Sequence, residues 1–167
     1  MACLRTGSLV AGLVAALTLL SSAVAPAVTG VTYAISGIET GFTDTSSSFA
    51  GTALAHDDVA LWQALVERTP FEADRNAVIT GGAFRLDGRV RDVQGIISGG
   101  TITNLRSNCH RELFAIEGDI TLTDANGVPT GGTGHFTATL THYLARFHGE
   151  CVTYFATVDG SVTFTLP

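Results

Sequence analysis

Beyond the N-terminal segment, nearly every stretch of the chain alternates apolar and polar residues, and period two is the mark of a β-strand that buries one face. Val31 to Glu39, Phe49 to His56, Ala77 to Leu86, Gly95 to Leu105, Glu112 to Thr123, Gly134 to Phe147, Val152 to Val158 and Gly160 to Leu166 all follow this rule. They are rich in Val, Ile, Thr, Phe and Tyr, side chains that pack well on a pleated surface. The pattern predicts about eight strands. Gly41, Gly81-Gly82, Asp87-Gly88, Gly99-Gly100, Asp124 to Gly127, Gly131-Gly132, Gly149 and Asp159-Gly160 punctuate the runs. Such residues supply the positive-φ positions of hairpin turns, and Asp87-Gly88 and Asp159-Gly160 are the clearest of them.

One segment breaks the rhythm. From Asp57 to Thr69, Val59, Trp62, Leu65 and Val66 recur at three- and four-residue spacing, Asp57 or Asp58 is placed to cap, and Pro70 follows. That combination predicts a short helix, set to cover a barrel mouth or a sheet edge.

Antiparallel strands joined by tight turns must hide their apolar faces, and in one domain of this size the solutions are a closed barrel or a two-sheet sandwich. Consecutive hairpins favour the barrel, and the Gly-Gly pairs agree, because small barrels close through kinks and bulges. In architecture this resembles the small secreted antiparallel barrels, the calycins and the allene oxide cyclase and dirigent-type barrels, and the resemblance implies a cavity for a small apolar molecule. An outer-membrane barrel is the competing architecture. It is opposed by short early strands, Thr-rich outward faces, the absence of aromatic girdles and the expected helix.

The N-terminal segment reads as a secretory leader. Arg5 precedes an apolar run from Leu9 to Leu20, then Ser21, Ser22 and an alanine-rich stretch. Cleavage is expected near Ala27, which assigns 1–27 to the leader and 28–167 to a single barrel domain, secreted and extracellular. Two cysteines then remain, Cys109 and Cys151, and in an oxidising compartment they are expected to form a disulfide. The formal net charge is −6, more negative still once Arg5 is removed, and there is no lysine. An acidic surface repels phosphate backbones and anionic membranes, so neither nucleic acid nor membrane is the expected partner. The oligomeric state is not legible.

No standard catalytic, metal or nucleotide motif is present, and no cofactor or metal is expected. Strand phase therefore carries the search for a site. His142, Arg146 and His148 share the phase of Phe136, Ala138, Leu140 and Leu144, and His110 and Glu112 share that of Phe114, Ile116, Ile120 and Leu122. A Cys109–Cys151 bond would gather His110, Glu112, Arg146, His148 and Glu150 at one rim. His142 would stand roughly 20 Å from His148 along the strand. His110, Glu112, His142, Arg146 and His148 are thus the ligand-binding candidates. His56-Asp57-Asp58 resembles a metal triplet but is better explained by helix capping, and Trp62 is expected in the core. The leading expectation is a secreted barrel binding a small, mostly apolar ligand in its interior. A cyclase or isomerase on the same barrel and a non-catalytic protein- or glycan-interaction module are the alternatives.

Overall fold

The computed structural model describes residues 30–167, and the expected leader lies outside the described residues. Eight strands follow one another: β1 (Gly30–Phe42), β2 (Ser46–Leu54), β3 (Val59–Arg68), β4 (Ala77–Gly88), β5 (Asp92–Asn108), β6 (Arg111–Thr123), β7 (Pro129–Phe147) and β8 (Glu150–Thr165). Each pairs antiparallel with the next, and β1 pairs with β8 from Gly30↔Thr165 to Ile38↔Thr157, closing the barrel. Closure gives the backbone groups along this seam ladder partners and removes the edges that two stacked sheets would leave. Among the described residues, no helix is long and apolar enough to cross a membrane.

The helix expected over Asp57–Thr69 is strand β3. Ala60, Trp62, Val66 and Arg68 are buried, whereas Val59, Leu61 and Leu65 are exposed apolar residues on the outer face. Apolar residues on both faces of one strand mimic helical spacing, which is why Val59, Trp62, Leu65 and Val66 misled. Asp159-Gly160, read as a turn, lies inside β8. Gly160 is needed there because a Cβ would stand 2.2 Å from the Thr137 carbonyl oxygen of the neighbouring strand. Losing that turn and gaining β3 leaves the count at eight.

The two Gly-Gly pairs mark a corner. In β4 the buried phase passes from Ala77 and Ile79 to Phe84 and Leu86, and in β5 from Val93 and Ile97 to Ile102. The phase flips across Gly81-Gly82 and Gly99-Gly100, which lie side by side between the registers Ile79↔Gly100 and Ala83↔Ile96. Gly82 (φ 139°) and Gly100 (φ 151°) hold backbone conformations open to glycine.

The barrel interior is packed. Tyr33, Trp62, Phe84, Phe114, Phe136 and Phe164 dominate its core. A cavity of about 30 Å³ remains, lined by Ile35, Trp62, Ile116, Phe136 and Val158 among others. That is room for about one water. On β6 to β8 the outer face carries Glu117, Asp119, His135, Thr137 and Asp159. On β2 to β5, by contrast, Leu54, Val59, Leu61, Leu65, Val78 and Ile96 expose apolar side chains.

One mouth is sealed by Asp58, at the foot of the β2–β3 hairpin. Its buried carboxylate accepts hydrogen bonds from Tyr33 Oη (2.7 Å) and the backbone N–H groups of Val90 (2.9 Å) and Arg91 (3.1 Å). Asp57 beside it takes a two-pronged pair from Arg91. The triplet around His56 is therefore neither a helix cap nor a metal cradle. Burial pushes the Asp58 carboxyl up, but the hydrogen bonds from Tyr33 and the backbone outweigh it and hold the group below the usual carboxylate range. Burial and the bond to Asp58 raise the Tyr33 phenol. A carboxylate lowered in the folded state contributes stability above its unfolded value of about 4 and loses it as the pH falls through the lower folded one. The Asp58→Asn variant is expected to be less stable at neutral pH, and the gap to the parent protein is expected to narrow between pH 4 and pH 2. Urea unfolding at the two ends of that range measures it; a gap constant with pH would contradict the assignment.

Candidate functional site

At the opposite mouth, the inward phase of four strands ends in an ionisable residue. β1 runs Tyr33, Ile35, Gly37 to Glu39; β3 runs Trp62, Ala64, Val66 to Arg68. In β6 the series is Ile116, Phe114, Glu112, and in β7 it is Phe136, Leu140, His142. Strict alternation thus carries four charged or titratable groups into one layer above the apolar core.

His142 is the centre of this layer. Its Nε2 lies 3.0 Å from Glu39 Oε2, and its Nδ1 lies 3.8 Å from Glu112 Oε2, with which it shares a register pair. Glu112 is fixed from outside: Ser107 Oγ donates to Oε1 (2.8 Å) and Arg75 Nη2 to Oε2 (2.9 Å). The side chains of His142 and both glutamates are 7 % exposed or less. Phe42 and Phe114 meet the imidazole edge-on, and Phe71, from the β3–β4 loop, stacks on both. Arg68 lies under that loop, its guanidinium 4.1 Å from the Phe71 ring centre and donating to the carbonyls of Thr43, Asp44 and Thr69. Burial lowers the Arg68 pKa, and the charge of Glu39 opposes that shift.

Three polar atoms of this layer are left uncommitted. Glu39 Oε1, His142 Nε2 and Arg68 Nε are buried and make no hydrogen bond. The 3.0 Å approach of Nε2 to Glu39 lacks hydrogen-bond alignment. A half-satisfied buried polar network is worse for stability than an apolar layer would be, so folding alone gives no reason for it.

The candidates from strand phase divide. Glu112 and His142 point inward and meet, which corrects the expectation that Glu112 joins the rim residues while His142 stands apart: the β6–β7 register places the two directly opposite. The Cys109–Cys151 bond exists, with Cα atoms 5.3 Å apart. Arg146 keeps the inward phase, opposite Cys151, but β7 has by then left the barrel, so the side chain is exposed. His148 sits in the β7–β8 turn with φ 50°, and His110 in the β5–β6 turn, both exposed. Among the described residues, no three His, Cys, Asp or Glu side chains are placed to hold a metal. Glu39 was missed, although it shares the phase of Tyr33 and Ile35. Arg68 was hidden by the helix reading of its strand, and Arg75, in a loop, carries no periodic signal.

A shallow depression of about 750 Å³ also crosses the outer face over Ala50, Gln63, Leu65, Ala83 and Ile96. It lies on the other side of the sheet from the His142 layer. No family model, no curated protein and no solved structure matches this chain.

Proposed function

We propose that this protein is a secreted barrel that binds a small, mostly apolar molecule carrying a hydroxyl or similar hydrogen-bonding group. The occupant is held at the His142 mouth, because the middle of the barrel has room for about one water. Glu39 Oε1 and His142 Nε2 take the polar group, and Phe42, Phe71 and Phe114 enclose the apolar body. Arg75, Glu112 and Ser107 brace the far side of the imidazole, and the loop of residues 69–76 lifts to admit the ligand. The observation that carries this reading is the set of buried, uncommitted atoms directly beneath an aromatic lid. Apolar walls with a few convergent polar groups are the usual form of a small-molecule site.

A second reading, a cyclase or isomerase, draws on the imidazole set between two carboxylates. That arrangement is suited to passing a proton between the ring and a bound molecule.

Titration with 2-naphthol, a ring with one hydroxyl, tests the site. It is expected to shift the His142 ring signals in NMR, and His142→Leu and Phe71→Ala are each expected to weaken binding by about tenfold or more. Native mass spectrometry of the secreted protein is expected to show a bound small molecule. If 2-naphthol leaves the His142 signals unmoved and the secreted protein carries nothing, the reading fails.

A further inference from the structure

Two hairpins continue past the barrel at the disulfide end. β4 stops pairing with β5 at Ala77↔Ile102, and β6 stops pairing with β7 at Arg111↔Tyr143. Beyond those points the β5–β6 and β7–β8 hairpins are joined by Cys109–Cys151 and by a hydrogen bond from Leu144 N–H to the His110 carbonyl (3.0 Å). The bonds make one braced arm of the two hairpins.

The arm exposes an apolar, aromatic surface to water. Phe147 is 64 % and Tyr154 69 % exposed, with Phe155, Val152 and Leu105 also open. On the outer face Phe155 stacks on Tyr143 (6.0 Å), and Val152 lies opposite Ala145. Arg111 lies opposite Tyr143 and Arg106 opposite Leu113 on this outer face, while Arg146 is on the other face of the arm; all three are exposed, and none forms an ion pair among the described residues. The arm's exposed carboxylate is Glu150.

The net charge of −6 describes the whole chain and not this tip. Glu117, the next outward acid along β6, lies six residues from Arg111, roughly 20 Å by strand rise and more than two screening lengths at physiological salt. The mouth behind the arm is acidic, with Asp44, Glu72, Asp74, Glu39 and Glu112 against Arg68 and Arg75, so the positive charge belongs to the arm alone, where Arg106, Arg111 and Arg146 stand against Glu150. Locally the tip is cationic.

We propose that the arm docks the protein on an anionic phospholipid surface. A protruding tip with exposed rings offers no groove for a soluble ligand, but such rings insert at the headgroup boundary while neighbouring arginines meet the phosphates. A second copy seated on the same surface would bring the arginines against each other. This use of the arm is independent of the His142 site.

The test is sedimentation of the chain from Val28, which holds every strand of the barrel, with vesicles of phosphatidylcholine alone or equimolar with phosphatidylglycerol. Binding is expected for the anionic vesicles and not for phosphatidylcholine alone. Arg106→Gln with Arg111→Gln is expected to weaken it by about 30-fold, near fivefold for each charge. Phe147→Ser with Phe155→Ser is expected to weaken it as well, with thermal unfolding unchanged in both variants. Equal sedimentation with both lipids, or none with either, overturns the proposal. So does polyglutamate binding indifferent to the two phenylalanines, which would make the tip a polyanion site. A dimer in free solution that Phe147→Ser dissociates would show that a second copy covers the surface.

Discussion

Replacing Cys109 and Cys151 together by serine is expected to lower stability by about 4 kcal/mol, the chain-entropy value for a bridge spanning 42 positions. The covalent loop holds all of β6 and β7, so its opening frees a quarter of the chain in the unfolded state. In the folded state the effect is local. The strand ladders stay intact, while the tips of β5–β6 and β7–β8 are left with the single Leu144 to His110 backbone bond between them. Urea unfolding of the double variant and of the reduced parent protein measures the loss, and amide exchange locates it. A drop below about 1 kcal/mol would mean that the reduced chain keeps the two hairpins together when unfolded.

Gly51→Ala is expected to cost about 3 kcal/mol, through crowding that nothing nearby can relieve. Gly51 faces inward on β2, opposite Gly37 on β1 and Trp62 on β3. A Cβ on Gly51 would stand 2.0 Å from the Ser36 carbonyl oxygen and 2.5 Å from the Gly37 Cα. One on Gly37 would meet the Ala50 carbonyl oxygen at 2.4 Å and the Trp62 ring at 3.0 Å. The indole lies where those side chains would be, its Nε1 donating to the Ser36 carbonyl (3.2 Å). Backbone atoms on both sides cannot step aside as a flexible side chain would. A melting temperature within a few degrees of the parent protein would show that the strands can part at this point.

Alternation made most of the barrel legible, because each strand buries one face and the period survives even where β4 and β5 change phase at their glycines. It failed where both faces are apolar. Val59, Leu61 and Leu65 on the outside of β3 erased the contrast that marks a strand, and with β3 misread, Arg68 lost the phase that would have placed it inside. For the site, phase was enough to bring His142 and Glu112 inward. It could not show that they meet, since which residues stand opposite is set by loop lengths and bulges between strands. Arg146 shows the converse limit. Its phase is inward, but phase does not tell where along a strand the barrel ends. Arg75 reached Glu112 from a loop, where no period exists to be read.

The seam between β1 and β8 has a consequence for how the molecule is made. The strand formed first must wait, with one side of its ladder open, until the strand formed last arrives to close against it. Such a connection between distant parts of a chain is slow to form, and an open edge is an invitation to wrong partners. Maturation is thus all or nothing: loss of the closing strand leaves two unguarded edges rather than a slightly smaller barrel.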